Sequence, residues 1–399
     1  MKRILSIIFV LSLLLSVATG CASEEVPVAV SETPVAPQVT EAEAPAEEVV
    51  PVAPQGRSLN IVSTIFAQYD WVREILGARA DDMDLTLLIS SALDMHNFQP
   101  SVSDIAAIAS ADIFIYVSGH SSDWAYAALQ QSTNPDMVVL DLLEVLGDGV
   151  KHEQILEGMQ HDDCDDDDCD DPGHAHSDCG DDDHGDDGHT CSSSHSHDHD
   201  DDCSDDDCDD PEHDDCDDAH HGVDEHVWLS LRNAAVFCYA IADVLSALDP
   251  DYADVYMGNL EKYVDRLLDL DEIYLAALNS VSNRTLLFAD RFPFRYLVDD
   301  YGLHYFAAFT GCSAETEASF STIIFLAGKV DELRLNTIMI TDSGNRAIAD
   351  AVINATESGG QQVLELDSMH SVTMTDIEGG VTFLSIMESN LRVLLDALS

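Results

Sequence analysis

Residues 161–218 read HDDCDDDDCDDPGHAHSDCGDDDHGDDGHTCSSSHSHDHDDDCSDDDCDDPEHDDCDD, with 28 acids, nine histidines, seven cysteines and neither Lys nor Arg. Such a segment has like charges to keep apart and almost nothing apolar to bury, so no core forms from it. Whatever folds must be assembled from the sequence on either side. Setting the segment's 28 acids aside takes the formal net charge from −61 to −33. The remainder is acidic too, which argues against a nucleic-acid partner, because phosphate binding needs Lys and Arg. It suits a surface that attracts cations.

Within the segment, DDCDDDDCDDP at 162–172 recurs as DDCSDDDCDDP at 201–211. The Cys-x4-Cys spacing differs from the Cys-x2-Cys of a structural zinc knuckle. Seven thiols cannot all pair with one another. The reading is a flexible tract of soft and borderline ligands, in which His174, His176, His195, His197 and His199 collect Zn²⁺ and exchange it quickly. Deleting 161–218 is expected to remove the extra metal equivalents and leave one tight site.

The first 20 residues pair Lys2 and Arg3 with the apolar run Ile4 to Val17 and end on small residues, as a signal peptide does. Cys21 then stands where a bacterial lipobox, which this stretch resembles, carries its lipidated cysteine. Residues 21–57, rich in Pro, Ala, Val and Glu, suit a tether. The expectation is an extracytoplasmic protein, lipid-anchored to the bacterial cell membrane.

From residue 58 strands and helices alternate. SLNIVST, DLTLLIS, DIFIYVSG and DMVVLDL are apolar strand runs separated by helical stretches. Such alternation implies parallel sheet. TLLFA, HYFAAF, NTIMIT and QQVLELD repeat the pattern after residue 282. Between the halves, apolar residues recur every three and four positions from about Pro250 to Asn279, long enough for a helix of about 45 Å. The expected fold is α/β, two Rossmann-like lobes with parallel sheets joined by one long backbone helix. The N-terminal lobe covers 58–248, with 151–222 as an unstructured insertion; the linking helix covers 249–281 and the C-terminal lobe 282–399.

Open α/β sheets bind ligands at the carboxyl ends of their strands. His96 follows a strand, His226 precedes a helix, and Asp367 ends a strand with His370 nearby. Two imidazoles and a carboxylate from distant loops suit Zn²⁺ or Mn²⁺. The same stretches resemble the metal-binding receptors of bacterial ABC importers for zinc and manganese, the cluster A-I family. TLLISSALDMHNFQPSVSDIAAIASADIFIYVSG is similar to that family's first-ligand loop, and DEHVWLSLRNA to its D-P-H-V-W-L-D-P-x-N-A element. SAETEASFSTIIFLAGKV and QQVLELDSM are similar to its later turn and Asp loop.

The resemblance implies two lobes, one metal in the cleft, and His96, His226 and Asp367 as ligands. At the position of the third ligand stands Arg291, which has no lone pair to offer a cation. Asp290 is the expected replacement; otherwise Cys312, Glu317 or His370 completes the shell. His120 sits where it would edge the cleft, Cys238 on an apolar helix face. The implied function is a monomeric receptor delivering zinc to an ABC permease. A manganese receptor of the same family, or an adhesin or metal buffer, is the alternative. The thiol-rich insertion favours zinc, since thiolate is a poor partner for Mn²⁺. No His-Glu-x-x-His or Gly-x-Ser-x-Gly occurs, so no enzyme is expected.

Overall fold

A computed structural model describes residues 56–90, 95–119, 122–160, 222–313 and 317–399. Strands β1 (Asn60–Ser63), β2 (Asp84–Leu87), β3 (Ile113–Tyr116) and β4 (Val138–Asp141) form one parallel sheet in the order β2-β1-β3-β4. Strands β5 (Thr285–Phe292), β6 (His304–Thr310), β7 (Thr337–Thr341) and β8 (Gln362–Leu366) form a second, in the order β6-β5-β7-β8 and also parallel. The two-lobed α/β architecture expected from the alternating pattern is thus present.

Helices α1 (Phe66–Leu76), α2 (Val102–Ala109), α3 (Asp123–Leu129), α4 (Leu142–Leu146) and α5 (Leu231–Leu248) belong to the first half. Helices α7 (Arg295–Tyr301), α8 (Phe320–Leu333), α9 (Arg346–Ala355), α10 (Met374–Glu378) and α11 (Phe383–Ala397) belong to the second. Between them runs α6 (Ala253–Leu278), whose 26 residues span about 39 Å at 1.5 Å each. It starts three residues later than the periodicity predicts. Pro250–Tyr252 winds as a tighter turn, and the Asp249 carboxylate ahead of it accepts from Arg57 N, Arg79 Nη2 and the Tyr256 hydroxyl.

Side chains alternate across β5, and the core follows. Leu286 and Phe288 face the large core that includes Leu267, Leu270 and Tyr274 of α6 and Leu391 of α11. Leu287 and Ala289 face a smaller one with Leu326 of α8 and Val352 of α9. The larger core is continuous with that of the first sheet, which also contains Val62, Phe114 and Trp71. Burial on both faces is why these strands read as unbroken apolar runs.

The insertion is fastened further than its composition suggests. Unstructured chain was expected from 151, yet the polypeptide is bound to the framework as far as Gln160 and again from Gly222. His152 and Val223 form an antiparallel bridge, and Glu153 N donates to Gly222 O. Gln160 bridges Phe309 of β6, its N–H donating to Ala308 O and its Oε1 accepting from Ser319 N. β6 is the edge strand of its sheet, so this arm covers backbone groups that would otherwise be open to another chain.

Candidate metal centre

Three imidazoles meet where the carboxyl ends of the two sheets face one another. His96 comes from a tight turn, Met95–Asn97, beyond β2. His226 stands just ahead of the turn Val227–Leu229 that leads into α5. His370 follows β8 by four residues. One ligand nitrogen from each lies within 4.8 Å of the others. His96 Nε2 and His226 Nε2 are 3.1 Å apart, and the His370 ring is centred 5.4 Å from that of His226 and 5.9 Å from that of His96. His226 is 0% and His370 8% exposed.

The surrounding hydrogen bonds decide which nitrogen each ring presents. Asp342, at the end of β7, takes the Ser368 hydroxyl proton on Oδ1 and that of Ser371 on Oδ2, along with the backbone N–H of both residues. Having given its single proton to Asp342, the Ser368 oxygen can only accept from His370 Nδ1, 3.0 Å away. His370 is therefore protonated on Nδ1 and carries its lone pair on Nε2. His226 Nδ1 lies 3.0 Å from Asp224 Oδ1, which also accepts the His226 N–H; with Asp224 ionised, Nδ1 donates to it and His226 presents Nε2. Burial pushes the Asp224 carboxyl up to about 7, against the lowering effect of the His226 N–H. Trp228 adds a tie between halves: its Nε1 donates to Ser368 O, and its ring contacts those of His226 and His370.

Backbone conformation matters at two points. Met369 is held at φ 69°, a left-handed conformation that is costly for a side-chain-bearing residue, by its N–H donating to Asp367 Oδ1 at 2.7 Å. That reversal swings His370 toward the other imidazoles. Gly311 lies so close to His226 that a Cβ there would sit 2.9 Å from both His226 Cε1 and Phe292 O.

The remaining expected ligands are placed as follows. Asp367 belongs to no metal-holding group among the described residues; it secures the His370 loop through Met369 and Asn390. Burial, then the neighbouring Asp342 charge, raises its carboxyl to about 7. Asp290 does not join the imidazoles either. β5 shifts register between Phe288 and Arg291, and the Asp290 carboxylate fills the irregularity, accepting from Thr341 N, Thr341 Oγ1 and Arg291 N. These bonds pin β5 to β7, and Asp290 belongs to no metal-holding group among the described residues. Arg291 donates to Ser313 O. Glu317 is exposed, its backbone oxygen accepting from Gln160. Cys312 does lie beside His96, together with Glu225. Cys238 is buried in the core as expected. His120, His174, His176, His195, His197, His199 and Cys21 lie outside the described residues.

Sequence reasoning passed over Asp224, Glu225, Asp342 and Ser368. Asp342 directly follows the TIMIT strand, so the strand-end rule that selects His96 applies to it as well.

The donors are what zinc accepts: three imidazole nitrogens, two of the rings held by oxygen atoms behind them. The zinc-binding lipoprotein AdcA of Streptococcus pneumoniae is 26% identical over 336 residues, 84% of this chain and 55% of that protein. The chain thus spans about half the length of the streptococcal relatives it matches. The high-affinity zinc uptake system protein ZnuA of Bacillus subtilis is 25% identical over 344 residues, 86% of this chain and 89% of that protein. The fold is shared with the Zn(II)-bound ZnuA-like domain of Streptococcus pneumoniae AdcA, at TM-score 0.57 and 23% identity over 86% of this chain and 99% of that one. It is also shared with the laminin-binding protein Lmb of Streptococcus agalactiae, at TM-score 0.60 and 21% identity over 86% of this chain and 100% of that one. The family model of ZnuA, the periplasmic component A of the zinc-uptake complex, matches residues 61–397, so the chain belongs to that family.

Proposed function

We propose that this protein captures Zn²⁺ between its lobes on His96, His226 and His370 and delivers it to the permease of an ABC importer. The convergence of three imidazoles from three distant segments carries the reading. Three nitrogen donors favour zinc over manganese, which prefers carboxylate and water oxygens. The task is binding and release. No water needs activating, so a shell without a vacant position serves it. Because the rings are buried, the ion leaves only if the surrounding loops or lobes shift, a step that contact with the permease would drive. The protein acts outside the cytoplasmic membrane, as a monomer tethered through Cys21, and the insertion at 161–218 raises the zinc concentration near the cleft.

Competition titration against a strong zinc chelator tests the seat. His370→Ala should weaken the tightest zinc site by more than the ~100-fold that loss of a mere supporting group costs. Wild-type zinc affinity in His370→Ala, or a wild-type preference for Mn²⁺, would sink the assignment.

A further inference from the structure

His96 takes part in a second group of donors. Its ring nitrogen, a Glu225 carboxylate oxygen and Cys312 Sγ also lie within 4.8 Å of one another. The approaches of His226 and Glu225 fall on different nitrogens of the ring. Nε2 faces His226 Nε2 at 3.1 Å, whereas Nδ1 is the atom nearest Glu225, 4.0 Å from Oε2. Glu225 occupies the place of proline in the D-P-H-V-W element that the surrounding residues otherwise follow, so its carboxylate is an addition to the cleft. It is 1% exposed and seated against Gly119, where a Cβ would fall 2.3 Å from Oε1. Cys312 reaches it from the carboxyl end of β6. Its loop is held by Cys312 N–H donating to Glu153 Oε1 at 2.8 Å and by Arg291 Nη1 donating to Ser313 O. A carboxylate from the returning arm of the insertion and a thiol from the second sheet thus face one imidazole.

We propose that His96, Glu225 and Cys312 form a second cation position in the cleft, on the Nδ1 side of His96, for zinc or another thiophilic divalent ion. Nitrogen, oxygen and sulfur donors together suit Zn²⁺, Co²⁺ and Cd²⁺ and disfavour Mn²⁺. A neutral imidazole has one lone-pair nitrogen, so His96 serves one ion at a time. The two positions are therefore filled in alternation, and a change in the His96 tautomer accompanies the move from one to the other. Coordination replaces the Cys312 thiol proton, which passes to solvent; no electron transfer is involved. The proposal rests on the three-imidazole reading for the part His96 plays.

Co²⁺ is the probe, because a cobalt–thiolate bond adds a charge-transfer absorption that nitrogen and oxygen ligands lack. In the full-length protein, His370→Ala breaks the imidazole seat and should move the ion to Cys312. Its cobalt–thiolate absorption should exceed that of His370→Ala/Cys312→Ser and of His370→Ala/Glu225→Gln by one thiolate bond per chain. The cysteines of the insertion contribute equally to all three and cancel. Identical spectra would overturn the proposal. Failure of the imidazole seat itself shows separately, as wild-type zinc affinity in His370→Ala/Cys312→Ser, where neither position is complete. Should the double variants not fold, Cys312→Ser alone should weaken Cd²⁺ binding several-fold and leave Mn²⁺ binding unchanged; equal Cd²⁺ affinity would refute it.

Discussion

Replacing Ser368 by alanine removes one oxygen outside the proposed three-imidazole seat, yet it should weaken zinc binding. The hydroxyl links the Asp342 carboxylate to His370 Nδ1, and that link keeps the His370 lone pair on Nε2. Without it, the neutral ring is free to protonate on Nε2 and to turn about its Cβ–Cγ bond. Outer hydrogen-bond partners of this kind are worth about 10–100-fold in metal affinity, or ~1.4–2.8 kcal/mol. Stability should fall by about 1 kcal/mol, the usual net worth of one intramolecular hydrogen bond. Ser371→Ala is the control. Its hydroxyl donates to the other Asp342 oxygen and no bond joins it to an imidazole, so its loss should cost similar stability with little affinity. Chelator competition gives the dissociation constants, and denaturant unfolding of the metal-free proteins gives the stabilities. If Ser368→Ala and Ser371→Ala lose zinc affinity equally, the hydroxyl does not set the tautomer and the argument from a single proton is wrong.

Asp70 predicts a pH effect on stability. Burial raises its carboxyl from 3.8 to about 6, despite the bond from Phe383 N to Oδ2. The folded protein therefore holds a proton that the unfolded chain has lost between those values, and stability declines as pH rises through that window, by up to about 3 kcal/mol. Asp70→Asn keeps an acceptor for Phe383, so it should flatten the decline and unfold at higher urea than wild type at pH 7.5, but not at pH 3.5. Asp290→Ala should leave zinc affinity unchanged while costing about 1–3 kcal/mol, because it strands the buried Thr341 N–H; a large affinity loss in chelator competition would restore Asp290 as a ligand. Gly311→Ala forces its methyl against Phe292 O, a backbone atom that cannot swing aside, and against the His226 ring. It should cost about 1–3 kcal/mol and lower zinc affinity together, and calorimetric titration showing neither loss would mean the approach is looser than drawn.

The lobes and the long helix are legible in the sequence because burial on both faces leaves apolar strand runs and because α6 repeats its apolar face at helical spacing. His96 and His226 are legible as lone imidazoles at the edges of such elements. The contribution of the second lobe is harder to read. Asp367 directly follows β8 and so satisfies the strand-end rule, but the chain reverses at Met369, and His370 is the residue that arrives at the other rings. Nothing in the letters LDSMH marks a left-handed methionine, since that conformation is imposed by Asp367, Asp342 and the loop they hold. Asp290 shows a related difference between sequence and structure. Sequence places it at a strand end, whereas β5 continues to Phe292 through an irregularity that consumes the carboxylate. The arm 151–160 is hidden by its acidic neighbour, and only pairing across 149 residues of chain, from Gln160 to Phe309, shows it to be framework.

These displacements share a physical cause. A zinc ion asks for donors about 2 Å from a common point and is indifferent to which stretch of chain supplies them. A strand position, by contrast, is committed by its ladder and by the pleat. Where β5 delivers an arginine near the cleft, no adjustment of that strand can make it a ligand, because the guanidinium has no lone pair to give. Arg291 instead ties down Ser313, in the loop that carries Cys312. The missing donor has to come from a loop whose backbone is free to take an unusual course, and β8 is followed by one. Three side chains, Asp342, Asp367 and Ser368, hold that loop in its course, so the placement of the His370 ring depends on acids outside the three-imidazole group. The cost is a carboxyl at Asp367 pushed up by burial and then by the Asp342 charge, and the return is an imidazole held at Nδ1 by Ser368.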